Sequence, residues 1–230
     1  MGIEKLLELG HRFHLGERLD LPLMQNSAGV FPTMTDLQER KKKGNPWTDG
    51  NTANVCFGQE IAVTPMQMAI MTAAVANGGK VYWPRLVQRI EPQEPLPNQE
   101  DETVHFPIRF RNDLGVQAKN LQIIRDAMRA DVANPEEGGT GKAAEVAGLT
   151  VCGKTGTAQV KDTSGKITDH ITWFASFAPL ENPRYVVLVM VESGSSGGRP
   201  CAPLAKKVSY APPHNETPPP KSPAARPPPH

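Results

Sequence analysis

The sequence predicts an α+β domain, an antiparallel sheet with flanking helices, and three observations predict it. The runs TVCGKTGTAQV (150–160), HITWFASFAP (170–179) and RYVVLVMVE (184–192) are rich in β-branched and aromatic residues and are separated only by the turn-formers of 161–166 and 181–183. Strands joined by turns that short form an antiparallel meander. Next, Thr64-Pro65-Met66-Gln67 carries helix-start chemistry, with Thr64 as N-cap, Pro65 at the first helical position and Gln67 closing a capping box. Finally, Leu114, Leu121, Ile124, Met128 and Val132 keep an i, i+3/i+4 rhythm, with Arg125, Asp126 and Arg129 on the other face.

With 230 residues the chain has room for one domain and a real core. Lys and Arg number 25 against 24 Asp and Glu, so the charge argues for neither nucleic acid nor an anionic membrane as partner. Cys56, Cys152 and Cys201 are odd in number and lack metal spacing, and the scattered histidines, His11 and His14 included, build no zinc site. No metal and no cofactor is implied. No apolar run reaches the roughly 18 residues of a membrane span, so a chain made from this Met1 is expected to stay in the cytoplasm.

In chain order, residues 3–13 form an amphipathic helix, with Ile3, Leu6, Leu7 and His14 near one stripe. Residues 16–22 are a short extended piece. Residues 26–54 read as a long polar excursion with Trp47 as its anchor, and Lys41-Lys42-Lys43 as a solvated loop within it. The helix over 66–76 is apolar nearly all round, hence buried, and Asn77-Gly78-Gly79 stops it. Residues 81–90 are extended and interrupted by Pro84, and 91–102 are a Pro- and acid-rich loop. After the helix over 114–132, Gly138-Gly139-Thr140-Gly141-Lys142 lacks phosphate-loop spacing and reads as a connector. Residues 201–209 form a helix with Leu204 and Val208 facing inward. Residues 1–210 thus make the domain, and 211–230, with nine of the 23 prolines, a tail expected to be disordered.

The centre of the 150–160 strand is Lys154-Thr155-Gly156-Thr157. An ammonium and two hydroxyls beside a glycine can hold a carboxylate and a developing oxyanion together. K-T-G-T on such a strand, then T-W-F-A-S-F-A-P and S-G-G-R-P-C-A-P, resembles the last three sheet strands of penicillin-binding proteins, the serine D,D-transpeptidases of peptidoglycan synthesis. G-Q-x-x-x-x-T-P-x-Q followed by A-N-G-G (58–79) is also similar to that family, as is 16–22, where Arg18-Leu19 replaces the usual Thr-Gly. The resemblance is to the C-terminal half of a class B, elongation-type transpeptidase domain. It runs from about Gly2 to Val208 and implies that the N-terminal half of the domain is missing.

The resemblance also implies roles. Lys154 supplies positive charge near the nucleophile, the Thr155 and Thr157 hydroxyls receive a carboxylate of a D-Ala-D-Ala stem peptide or a β-lactam, and the Thr157 N–H forms half of an oxyanion hole. The family's S-x-x-K and S-x-N motifs are absent from the sequence, so its nucleophilic serine is too. The fragment is therefore expected to bind and to be inactive alone. Its exposed core face predicts self-association or pairing with a chain that supplies the N-terminal half. The alternative is an autonomous β-lactamase- or esterase-like hydrolase with a non-standard nucleophile, Ser196 of Gly194-Ser195-Ser196-Gly197-Gly198 or Ser164 of Thr163-Ser164-Gly165-Lys166. A reversible binding module for the same ligands is a third, non-enzymatic option. In the family the work is done outside the cytoplasmic membrane.

Overall fold

Helix α1 (Ile3–Arg12) buries Leu7 and Gly10. A side chain at Gly10 would stand 2.1 Å from the ring of Phe31, so only glycine lets that ring lie on the helix. The computed structural model to which these distances belong describes residues 2–21, 26–92, 103–193 and 198–210. The expected disordered tail and Ser196 lie outside the described residues.

The polar stretch 26–54 is not a plain excursion. It contains helices α2 (Met34–Lys42) and α3 (Asp49–Cys56), each opened by a capping box, Thr33 with Asp36 and Thr48 with Asn51. Lys41 and Lys42 belong to the last turn of α2, where cations complement the helix dipole, and Lys43 is its C-cap. Trp47 packs on the cluster of Leu7, Leu15, Phe31 and Leu37. Its indole N–H donates to Thr52 Oγ1 at 2.9 Å, and the Arg40 guanidinium sits 5.0 Å from its ring centre.

Helix α4 (Pro65–Ala76) starts as its capping chemistry requires: Gln67 N donates to Thr64 Oγ1 at 3.2 Å and Thr64 N to Gln67 Oε1 at 2.9 Å. The Gln67 amide also donates to Glu17 O and Ala28 O, both at 2.9 Å. Gln67 is 1% exposed, so one buried side chain ties three segments together. Beyond Gly79, which has φ +103°, come β1 (Lys80–Tyr82), β2 (Arg89–Ile90), β3 (Val104–His105) and β4 (Phe110–Asp113), paired antiparallel as β1 with β4 and β2 with β3.

Four contacts pin the start of the chain to β4 and the residues on either side of it. Arg12 donates to Leu114 O at 2.9 Å, His14 Nε2 lies 2.6 Å from Asn112 Oδ1, Arg111 pairs with Glu17 at 2.5 Å and Arg109 with Asp20 at 2.8 Å. Arg111 also stacks on Trp83, 3.8 Å from the ring centre.

Helix α5 (Ala118–Ala133) begins later than the apolar rhythm suggested, because Gly115 turns the chain with φ +60°. Leu121, Met128 and Val132 are buried, whereas Ile124 is 45% exposed. The inner stripe is completed on its other flank by Arg125, which donates to Leu180 O and lies 5.9 Å from the Phe177 ring centre.

The main sheet has the order β5 (Cys152–Lys161), β6 (Ile167–Ala178), β7 (Tyr185–Glu192), all antiparallel. One face packs Cys152 and Phe177 against Val75, Ala76 and Met128 of α4 and α5. The other packs Phe174 and Ala178 against Cys201, Ala202 and Ala205 of α6 (Gly198–Tyr210). Leu204 and Val208 do not face inward: they are 43% and 59% exposed. Small residues line the contact, so α6 lies close to the sheet and its larger side chains stand outside.

Candidate functional site

Strand β5 leaves the core as it runs. Cys152 and Gly153 are buried, and burial pushes the Cys152 thiol up to about 11. A Cβ at Gly153 would meet Phe174 Cζ at 2.2 Å, so the glycine is imposed by the fully buried ring opposite it. From Lys154 onward the strand surfaces, and β5 forms an edge of its sheet among the described strands.

The structure brings Lys154, Thr155, Gly156 and Thr157 together on that edge strand, in register with Ala175, Phe174, Trp173 and Thr172. Alternation puts Lys154 and Thr155 on opposite faces, but the lysine folds back so that Nζ donates to Thr155 O at 3.0 Å and lies 3.5 Å from Thr155 Oγ1. At Gly156 a Cβ would touch only Trp173 Cβ, at 3.5 Å. Packing does not demand that glycine; what its missing side chain leaves is open backbone.

Two residues unmarked by the sequence lie against Lys154 and Thr155. Asp131 of α5, its side chain only 10% exposed, puts Oδ1 3.8 Å from Lys154 Nζ. The same oxygen accepts from Thr140 N at 3.2 Å and Thr140 Oγ1 at 3.0 Å, and Thr140 Oγ1 lies 2.5 Å from Thr155 Oγ1. Thus the Gly-Thr-Gly segment, expected as a mere connector, delivers a hydroxyl to the K-T-G strand. A carboxylate on the last turns of α5, beside the buried Val132, was the available signal.

Ser164 is not brought to Lys154. It sits in the turn between β5 and β6, where its hydroxyl donates to Asp162 Oδ1 at 2.6 Å. The Lys161 end of β5 lies about 23 Å along the strand from Lys154 at ~3.3 Å per residue. Ser196 falls outside the described residues. Among the described residues there is no group of three or more metal-ligating side chains, and no helix is long and apolar enough to cross a membrane.

The family model for the penicillin binding protein transpeptidase domain matches residues 1–210. The chain is 33% identical over 220 residues to the peptidoglycan D,D-transpeptidase MrdA of Haemophilus influenzae, covering 90% of this chain and 32% of that protein. It is 31% identical to the penicillin-binding protein PbpB of Mycobacterium tuberculosis, covering 91% of this chain and 30% of that one. Among solved structures, apo penicillin-binding protein 3 of Mycobacterium tuberculosis superposes with a TM-score of 0.73 at 30% identity, over 90% of this chain and 45% of that one. Pseudomonas aeruginosa PBP2 in complex with WCK 5153 gives 0.71 at 30% identity, over 90% and 43%. The chain therefore spans about a third of the curated relatives it matches.

Proposed function

The chain belongs to the penicillin-binding protein transpeptidase family, and from that premise we propose that it is part of a peptidoglycan-synthesising transpeptidase domain whose strand β5 receives the carboxylate of a β-lactam or a D-Ala-D-Ala stem peptide. One observation carries the reading: Lys154 and Thr157 stand exposed on an edge strand, beside the open backbone of Gly156. A strand at the edge among the described residues can pair an extended ligand along its backbone, and a lysine there offers it a counter-charge. Residues 1–210 form the domain portion in this reading. The family's extracytoplasmic site of action is part of the same proposal.

Binding and chemistry separate in this chain. The roles carried to Lys154, Thr155 and the Thr157 N–H are electrostatic, and the attack on the acyl carbon needs an activated hydroxyl that no S-x-x-K in the sequence provides. The chain alone holds its ligand without acylation, and a partner segment bearing the serine would complete the site.

Incubation with a chromogenic cephalosporin, with intact-mass detection in parallel, tests this on the wild type and on Lys154→Ala. We expect no turnover and no covalent adduct, with reversible binding of benzylpenicillin lost in Lys154→Ala. Repeated hydrolysis abolished by that substitution would establish the hydrolase alternative instead, with a nucleophile resident in these 230 residues.

A further inference from the structure

We propose that Asp131 is a built-in rival for any ligand carboxylate: it draws the Lys154 ammonium toward helix α5 and so weakens the hold of strand β5 on an anion. The inference rests on the proposed carboxylate-binding role of β5 and names a residue that sets its strength and its selectivity.

The two partners differ in freedom. The Asp131 side chain is 10% exposed and that of Lys154 63%. Asp131 Oδ1 accepts from Thr140 N at 3.2 Å and from Thr140 Oγ1 at 3.0 Å, and Gly141 N donates to the Asp131 backbone carbonyl at 2.9 Å. A Cβ at Gly141 would stand 2.9 Å from Asp131 Oδ2, so the carboxylate is closely enclosed on that side as well. It is a fixed charge, and the ammonium on its four-carbon stem is the part that moves. Lys154 Nζ donates to Thr155 O at 3.0 Å and stops 3.8 Å from Asp131 Oδ1. That gap is too long for a hydrogen bond, so the pair is held by charge.

Helix α5 gives no reason of its own for an acid at this place. Asp131 lies in the last turn, just before the helix ends at Ala133, where the dipole disfavours an anion and no basic residue offsets it. Its Oδ2 is buried without a hydrogen-bond partner, which is costly unless a cation stands by. Among the described residues the cation paired with it is Lys154. A ligand carboxylate arriving at β5 therefore meets an ammonium that already has a counter-ion, and must share it or draw it away. An uncharged ligand meets no such rival, so Asp131 lowers the preference of the strand for a carboxylate over its ester. Because Lys154 is largely exposed, solvent screens the competition, and its effect on affinity is about two- to fivefold.

The test is titration of N-acetyl-D-alanyl-D-alanine and of its methyl ester into the wild type, Asp131→Asn and Asp126→Asn, at low and at high salt. Asparagine keeps an Oδ1 for the Thr140 bonds and removes the charge. Asp131→Asn tightens binding of the acid about two- to fivefold at low salt and by less at high salt, and leaves the ester unchanged. Asp126→Asn, which removes the same charge from an exposed position on α5, changes neither. In parallel, NMR order parameters of the lysine NH3+ groups are measured, with the Lys154 signal assigned by its loss in Lys154→Ala. In the wild type the Lys154 ammonium is more ordered than that of the exposed Lys119, and Asp131→Asn frees it. Acid affinity unchanged or weakened in Asp131→Asn overturns the proposal, as does an equal gain for the ester or in Asp126→Asn, or a wild-type Lys154 ammonium as mobile as that of Lys119. Should Asp131→Asn fail to fold, the wild-type ammonium still decides. If neither the wild type nor Asp131→Asn binds the acid, the carboxylate-binding reading fails, while the order of the Lys154 ammonium still judges its tether to Asp131.

Discussion

Gly153→Ala places a methyl where Phe174 already is. The new Cβ would lie 2.2 Å from Cζ, 2.8 Å from Cε2 and 3.1 Å from Cε1 of that ring. Ordinary carbon contacts lie near 3.5–4.0 Å, so the ring would have to retreat by more than an ångström. It has nowhere to go: Phe174 is 0% exposed and packs on Val132, Val151 and Cys201. Gly153 is not among the positive-φ glycines, so the backbone itself would accept alanine, and a free site would gain about 0.4–1 kcal/mol from the stiffer unfolded chain. Overpacking costs about 1–3 kcal/mol or more; with contacts this short we expect a net loss of about 2–3 kcal/mol. For a domain of this size that lowers Tm by about 4–12 °C. The assay is thermal and urea unfolding of the wild type, Gly153→Ala, Phe174→Leu and the double variant. Leucine in place of the ring removes the collision, so the double variant is more stable than the sum of the two single losses predicts. A Gly153→Ala chain as stable as the wild type, or strictly additive losses, would refute the packing account of this glycine.

Gln67→Leu strands Thr64 N, Glu17 O and Ala28 O inside the fold, and a loss of about 3–5 kcal/mol in urea unfolding is expected; a loss below about 1 kcal/mol would mean that the three segments hold without it. The buried Cys152 thiol, pushed up to about 11, resists iodoacetamide at about pH 8, while the exposed Cys56 is alkylated first; peptide mass mapping reads the order. The amides of Asn54 and Asn51 hydrogen-bond the Glu60 carboxylate and hold its pKa below the usual value. A depressed folded pKa contributes stability that is present above the unfolded value, near pH 4.3, and is lost as pH falls through the folded one. Glu60→Gln should therefore flatten the fall in urea midpoint between about pH 5 and pH 3, and an unchanged slope would remove Glu60 from the account.

What the sequence revealed depended on how local each cause was. Thr64 and Gln67 announce α4 because a capping box needs only four residues and an apolar helix follows. The equivalent boxes at Thr33 and Thr48 open α2 and α3, but Leu37 and Val55 are the only buried residues of those helices. Without an apolar stripe their periodicity is silent, and Asn, Gly and Pro dominated the reading. Leu204 and Val208 misled for the opposite reason, since hydrophobicity names a candidate for the interior while the closeness of α6 to the sheet selects Cys201, Ala202 and Ala205. At the site, Lys154 to Thr157 was legible as a motif on one strand. Asp131 and Thr140 were not, because their meeting with Thr155 exists only after the Gly-Thr-Gly segment folds back onto β5.

The four links between the first residues and the β4 region step in opposite senses along the chain: 12 with 114, 14 with 112, 17 with 111 and 20 with 109. They close like a zipper around a loop of 89 to 102 residues. The entropy of closing so long a loop is met chiefly by the first link, and each later one closes only a short gap. A ten-residue helix such as α1 is marginal on its own. The polar clasp over residues 12–20 therefore closes nearly all-or-none, whereas α1 itself finds Phe31 and Leu37 to dock Leu7 on without it.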